Sequence, residues 1–312
     1  MKKIKILLIG TYKQSDYEKW ENAEIISYFN PYENVGEPEF TAPFDAIVFV
    51  VPNYKKIIPK LICDALTLTD KPVCILKVRV SAYEDLEPIR KLPAERRARL
   101  YIGEQYRYLP GAMAITECIN NNIFGKIESI SWRTVLTYEH ADWMDAYDHM
   151  IFEDLSYHHF TDLIIWFNEL HGSVYADSYS PAWMKKDCKG FAGLIFKTDS
   201  GIHMTYDVRW GAAYTDTTFF GDVTIEGDKG LLKTDGNKSV FITRNGEEKQ
   251  INGKYSRYND WAGIINHFCD IVNLKIDSIG GERFLLFDEF DNALKLMYAG
   301  VCSSENNKIV YI

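Results

Sequence analysis

The sequence has no apolar run long enough to cross a bilayer. Its longest, Ile6–Ile9 and Ala46–Pro52, fall far short of the ~20 residues that a spanning helix needs. The Met1-Lys2-Lys3 start leads into a short run with no small-residue cleavage site, which is expected to be a strand rather than an export signal. Basic residues are in the minority, 35 against 44 acidic ones, for a formal net charge of −9. That balance argues against a general nucleic-acid binder or a protein of anionic membrane surfaces, both of which need a basic face. Paired cysteines are missing too. Cys63, Cys74, Cys118, Cys188, Cys269 and Cys302 form no CxxC, so reduced thiols in a cytoplasmic protein are expected. There is no repeat, low-complexity tract or flexible linker. What is present is ordinary globular composition, 46% apolar and 25% charged, with 14% aromatics. A chain of 312 residues supports about two domains.

The first hundred residues alternate between strand and helix patterns. Lys5–Ile9, Glu24–Phe29, Asp45–Val51 and Pro72–Val80 are strand candidates, and Ile57–Leu68 and Ala82–Leu92 are helix candidates. Asp45–Val51 is a continuous β-branched run, as expected of a strand covered on both faces. Such alternation predicts a parallel sheet with crossover helices. The pattern changes after Pro110. Gly111–Asn122 and Leu155–Phe167 carry helical periodicity, and Ile127–Thr137 is a long strand candidate. Hairpin signals follow at Asp199–Gly201, Gly227–Gly230 and Asn245–Gly246, so an antiparallel sheet is predicted. Two amphipathic helices, around Trp261–Phe268 and Leu286–Met297, close the chain. The expected division is an α/β dinucleotide-binding type of domain over 1–109 and an α+β domain over 110–312.

The first turn, Gly10-Thr11-Tyr12-Lys13-Gln14-Ser15, keeps one glycine of the Gly-x-Gly-x-x-Gly fingerprint. A single glycine after a strand also serves as a plain turn. Asn30 stands where an acidic residue would hold the ribose, and Asp45 follows only fifteen positions later. A crossover unit needs about 30 residues, so the adenosine side of the domain is expected to be reduced. Val51-Pro52-Asn53 ends a buried parallel strand, where ligands bind, but it is also an ordinary way to begin a helix. Lys77 follows another buried strand; it either stabilises a developing alkoxide or snorkels to solvent.

On a helix, Asp154, His158, Thr161 and Asp162 share one face, opposite Phe160, Leu163, Ile164 and Phe167. An imidazole one turn after a carboxylate is suited to general base work. The same spacing also describes a solvated polar face with an ordinary ion pair. His140, Asp142, His149, Asp154 and His158 are close in sequence, but none matches a metal-ligand spacing, so no metal is expected. Trp143 and Tyr147 either stack on a sugar or pack against the domain.

Several fragments resemble the Gfo/Idh/MocA oxidoreductases, the group of glucose–fructose oxidoreductase and inositol dehydrogenase, in the order that family has them. These are Asp45–Asn53, Pro72–Lys77, Gln105–Pro110, Ile123–Ile127, Asp154–Phe160, Val223–Gly230 and His267–Asp270. The resemblance implies a degenerate, shortened Rossmann-like domain followed by an α+β domain with a large, mostly antiparallel open sheet. It implies hydride transfer between NAD or NADP and a hydroxyl-bearing carbon of a sugar, cyclitol or related small molecule. His158 would be the acid–base, with Lys77 and Asp154 at the substrate. Gly10, Thr11, Tyr12, Val51, Pro52, Asn53 and Lys77 would line the cofactor, and Tyr106, Arg107, Trp143 and His159 the substrate. Either Thr161 or Asp162 would take the family's aspartate position. The open sheet would make a homodimer or homotetramer. Because the fingerprint glycines and ribose acid are lacking, a second expectation stays open: a relative that has lost the dinucleotide and binds a ligand or partner. A cofactor-independent elimination or isomerisation with His158 as base is a third.

Overall fold

Three short runs of β-branched and aliphatic residues build the core of the first unit. Strands β1 (Ile4–Gly10), β3 (Ala46–Val50) and β4 (Val73–Leu76) are apolar along almost their full length and almost wholly buried, as strands covered on both faces must be. The computed structural model describes every residue except 1, 12–16, 34–35, 52–56, 77–81, 138–143, 145–146, 169, 185–186, 254–255, 257 and 280–281. With β2 (Ala23–Phe29), β5 (Leu100–Gly103) and the two-residue strand Leu285–Leu286, these strands form a six-stranded sheet in the order β2-β1-β3-β4-β5-Leu285–Leu286. All neighbours are parallel except the last pair. The link from β2 to β3 adds no strand among the described residues, so β2 is the sheet edge. Its Glu24, Ile26 and Tyr28 are exposed. This is the shortened sheet half that the short Asn30–Asp45 spacing predicts.

Helix α1 (Ile58–Leu68) buries Ile58, Leu61, Ile62, Ala65 and Leu66. The guanidinium of Arg99 donates to the carbonyls of Leu66 and Thr69, both at 2.7 Å, and so caps its end. The Ala82–Leu92 segment is not one helix. A 3-10 turn over Tyr83–Leu86 runs into a single α turn at Glu87–Arg90, where Pro88 limits the backbone.

The second unit is a nine-stranded sheet. Its strands are β6 (Ile127–Leu136), β7 (Gly172–Tyr179), β8 (Phe191–Thr198), β9 (His203–Trp210), β10 (Asp222–Gly227), β11 (Gly230–Thr234), β12 (Ser239–Thr243), β13 (Glu248–Ile251) and Val310–Tyr311. The order is β13-β12-β11-β10-β6-β9-β8-β7-Val310–Tyr311, and only the β6–β9 pair is parallel. The three hairpin signals fall at the β8–β9, β10–β11 and β12–β13 turns. Alternating burial along β7, β8 and β9 shows one covered face and one open face. The open face carries Tyr175 and Ile195, 42% and 57% exposed, around a concavity of about 500 Å³.

Helices α2 (Pro110–Asn120) and α3 (Tyr157–Phe167) belong to this unit and are tied by Trp166 Nε1 donating to Thr116 Oγ1 at 3.1 Å. The division of the chain differs from the expected cut near 109. The first unit comprises 1–105 and 257–291, and the second 106–256 and 292–312. The reason lies in α4 (Trp261–Leu274). Its Ile264, Ile265 and Phe268 are fully buried, and it packs on β1, β2 and β5. Asp270 anchors it, accepting from Asn22 Nδ2 at 2.6 Å and from the Tyr258 hydroxyl at 3.2 Å. Helix α5 (Phe287–Asn306) returns the chain to the second unit. Among the described residues, no helix is long and apolar enough to cross a membrane.

Candidate active site

In the first unit the residues of interest lie at the carboxyl ends of the parallel strands. Gly10 ends β1 with φ +146, and a Cβ there would stand 1.9 Å from Val50 O on the neighbouring strand. No other residue type fits, which is what the first fingerprint glycine requires. Thr11 N–H donates to Val50 O at 3.1 Å, so this amide is committed to the sheet. Val51 is 4% exposed. Asn30 is buried, and its Oδ1 accepts from Tyr32 N–H at 2.9 Å, forming an Asx turn at the end of β2. Tyr12, Pro52, Asn53, Lys77 and Trp143 lie outside the described residues.

In the second unit, the histidine helix begins unusually. Residues Ile151–Ser156 form a π-helical turn that runs into α3. Tyr157 N–H reaches back to Phe152 O, and Ser156 Oγ donates to Ile151 O at 2.8 Å. Such wide turns are rare and cluster at functional sites. The turn alters the expected spacing, because Asp154 and His158 are not joined by one regular α turn. Nor is the polar face solvated. Asp154, His158, Thr161 and Asp162 are 3%, 3%, 0% and 1% exposed, as deeply placed as the apolar face opposite. Burying that many polar groups is costly unless each is engaged.

Most of their partners are visible. Tyr147 Oη donates to Asp154 Oδ1 at 3.2 Å. The His158 ring is stacked on Tyr106, with centroids 4.4 Å apart and planes 10° from parallel, and tilts against Tyr157 at 3.9 Å. Thr161 Oγ1 donates to His158 O at 2.7 Å, so its hydroxyl is spent on its own helix. Asp162 is therefore the residue that brings a carboxylate to the turn after His158. Arg107 is half-buried, its guanidinium carbon 5.2 Å from the Tyr108 ring centroid. Among the described residues its buried Nη1 meets no hydrogen-bond partner.

His159 does not belong at a substrate. It is fully buried, Nδ1 lies 2.6 Å from the Tyr206 hydroxyl, and Nε2 lies 3.0 Å from Phe219 O. The carbonyl can only accept, so Nε2 carries the proton and Nδ1 accepts from Tyr206. Burial lowers the ring to about 3, so it is neutral, and burial raises the Tyr206 phenol. Trp132 tilts over it at 4.6 Å. The expectation that His159 contacts substrate is corrected by this: it is a core histidine joining α3 to the sheet and to the loop before β10.

Sequence reasoning missed two features here. One is the stack of the Tyr106 ring on His158: the resemblance puts Tyr106 at the substrate, but no spacing signals the stack. The other is a cluster around His149 and Glu153, whose i,i+4 spacing was visible but shared by any exposed helix. Among the described residues, no group of three His, Cys, Asp or Glu side chains is placed to hold a metal, and all six cysteines are free thiols.

No protein-family model matches the chain, and no curated protein matches it. Solved structures do match, over the whole length. An oxidoreductase from Agrobacterium radiobacter, solved with NAD+, L-tartaric acid and magnesium, aligns with a TM-score of 0.74 at 15% identity, covering 99% of this chain and 98% of that one. An NAD-binding protein from Listeria innocua aligns at 0.72 and 16% identity, covering 100% of both chains. An oxidoreductase from Pseudomonas syringae aligns at 0.77 and 11%, again covering 100% of both. The chain shares their fold: a parallel α/β domain joined to an α+β domain with a mostly antiparallel sheet, as the sequence predicts.

Proposed function

We propose that this chain is an NAD- or NADP-dependent oxidoreductase acting on a hydroxyl-bearing carbon of a sugar, cyclitol or related small molecule. The observation that carries this reading is the buried Asp154–His158–Asp162 set on the π-to-α helix, in a fold shared along its full length with NAD-binding oxidoreductases. The resemblance of seven ordered fragments to the Gfo/Idh/MocA family supports it.

The nucleotide side fits in part. Gly10 leaves a cradle that a Cβ would fill, at the strand ends where dinucleotides bind. Asn30 puts a neutral amide at the ribose position, which suits either a 2′-hydroxyl or a 2′-phosphate. Gly10, Thr11, Tyr12, Val51, Pro52 and Asn53 are assigned to hold the nucleotide, which supplies or accepts the hydride. On the substrate side, His158 takes the hydroxyl proton as the carbinol is oxidised and returns it in the reverse direction. Tyr106 keeps the imidazole plane fixed, and Asp154, itself oriented by Tyr147, holds a second substrate hydroxyl. Lys77 stabilises the developing alkoxide. The guanidinium of Arg107 and the ring of Trp143 are assigned to the rest of the substrate. The open face of the nine-stranded sheet, with Tyr175 and Ile195, is assigned to contact between copies of the chain.

Calorimetric titration with NAD+, NADH, NADP+ and NADPH tests the reading. Micromolar affinity for one pair is expected, followed by turnover with a polyol or cyclitol monitored through reduced nicotinamide. No heat at millimolar nucleotide would overturn it in favour of a ligand- or partner-binding protein. Nucleotide-free turnover of a hydroxy compound would favour elimination or isomerisation at the same histidine.

A further inference from the structure

The loop that leads into the π turn holds ionisable side chains that the proposed reaction does not use. His149 is 4% exposed. Its Nδ1 lies 2.8 Å from Ser178 Oγ on β7, and its Nε2 lies 3.4 Å from Glu305 Oε1 on α5. Its backbone N–H donates to Glu153 Oε2 at 2.9 Å. Ser178 Oγ lies 3.0 Å from Ser304 Oγ, and Ser178 N–H donates to that same oxygen at 2.9 Å. One connected set therefore runs from Glu153 through His149 and Ser178 to Ser304 and Glu305. It ties the π turn to a strand and to α5. Backbone bonds add to it, from Met150 N–H to Cys188 O at 2.9 Å and from Ile151 N–H to Lys189 O at 3.2 Å. Asp154 follows Glu153 directly, and its partner Tyr147 stands two residues before His149.

We propose that Glu153 and His149 are positioning residues: the bond from His149 N–H to the Glu153 carboxyl clamps the π turn, and gain or loss of the carboxyl proton sets how firmly Asp154 is held. The proposal rests on the reading of Asp154 as a substrate contact.

The surroundings explain why this carboxyl responds near neutrality. Asp148 in the same loop and Glu305 on α5 are acidic neighbours, and Lys189 in the loop before β8 is the cation facing His149. The covered faces of β8 and β9, which pack under the turn, bring apolar side chains and Tyr206, whose hydroxyl is engaged by His159. Burial raises the Glu153 carboxyl to about 7, with Asp148 and Glu305 adding to it and the donated backbone N–H groups opposing. Burial first, and then Lys189, lowers the His149 ring. An ionised carboxylate accepts the N–H bond more strongly than a neutral carboxyl does. The clamp is therefore firm above the Glu153 transition and looser below it.

The test uses the intact chain carrying 13C at the tyrosine ζ carbons. The Tyr147 signal, identified by its loss in Tyr147→Phe, reports on Asp154 through their hydrogen bond. Expected is a wild-type Tyr147 signal that titrates with a midpoint near pH 7, and a Glu153→Gln signal that stays at its low-pH position throughout. A wild-type signal that does not move from mildly acidic to mildly alkaline pH overturns the proposal, as does a Glu153→Gln signal that still titrates. Asp148→Asn removes an acidic neighbour and is expected to move the midpoint down. An unmoved midpoint there overturns the proposal even where Glu153→Gln does not fold. None of these readings needs turnover, so they stand apart from the redox assignment. With a substrate in hand, kcat/KM of Glu153→Gln is expected to lose its rise near neutrality and fall several-fold below wild type at alkaline pH, with KM for the nucleotide unchanged.

Discussion

The ring of Tyr106 lies flat on the imidazole of His158, centroids 4.4 Å apart and planes 10° from parallel. A stacked neighbour restricts the imidazole to in-plane presentation of its nitrogens, and Tyr157 closes on it as well. Stacking of this kind contributes about 0.5–1.5 kcal/mol, and tenfold in rate is about 1.4 kcal/mol. Tyr106→Ala is therefore expected to lower kcat by about tenfold, the upper end of that range. Tyr106→Phe keeps the ring and is expected to remain much closer to wild type. Equal losses in both variants would show that the hydroxyl matters and the stack does not.

His158→Asn removes the proton acceptor but keeps a polar, similarly sized side chain. General base catalysis is typically worth about 10²–10⁴-fold, so kcat is expected to fall by that factor. Nucleotide affinity, measured by calorimetry, is expected to hold, since the residues assigned to the nucleotide belong to the other unit. Full turnover in this variant would remove the mechanism.

Much of the fold is legible in the sequence because it follows from local periodicity. Ala46–Val50 is a continuous buried run, and Gly227 and Gly230 bracket a two-residue hairpin turn. The short span between Asn30 and Asp45 leaves no room for a further crossover, and β2 is indeed the edge strand. The site is less legible, for two physical reasons. Helical periodicity assumes 100° per residue, and the π turn at Ile151–Ser156 breaks that rule just before His158. Periodicity also identifies a polar face without saying whether water or protein covers it, so it does not distinguish His158 from its core neighbour His159. The fate of Trp261–Leu274 was hidden in a related way. Its apolar stripe shows that something covers it, but not that the first unit's sheet does.

Gly10→Ala is a direct probe of the nucleotide side. The new Cβ would meet a backbone oxygen, Val50 O, at 1.9 Å, and neither strand can retreat without breaking the β1–β3 ladder. The positive φ alone costs roughly 1–3 kcal/mol, and the clash adds to it. A fall of several degrees in Tm is expected, together with weaker nucleotide binding in whatever folds. An unchanged Tm would show that the turn relaxes freely and that Gly10 is not under the constraint that the fingerprint position imposes.

His159 makes a prediction about acid stability whose sign is opposite to that of Glu153. Its ring is held at about 3 by burial, below the ordinary 6.5. A base whose folded-state pKa is depressed contributes stability that is complete above 6.5 and is lost as pH falls towards about 3. The Glu153 carboxyl, raised to about 7, works the other way, since its cost is absent at low pH and grows as pH rises from 4.5 through about 7. A single acid-denaturation curve mixes the two, so the informative quantity is the stability gap between wild type and His159→Phe. At pH above 6.5 that gap is expected to be about 2–4 kcal/mol, because Tyr206 Oη and Phe219 O each lose a buried partner. On acidification it should narrow by roughly 1.4 kcal/mol per pH unit, as wild type alone loses the benefit of a neutral ring. Urea unfolding of both proteins across that range measures it, and the Glu153 contribution cancels in the difference. A gap that stays constant with pH would mean that His159 is not held neutral by its burial, and its assignment as a core histidine would have to be withdrawn.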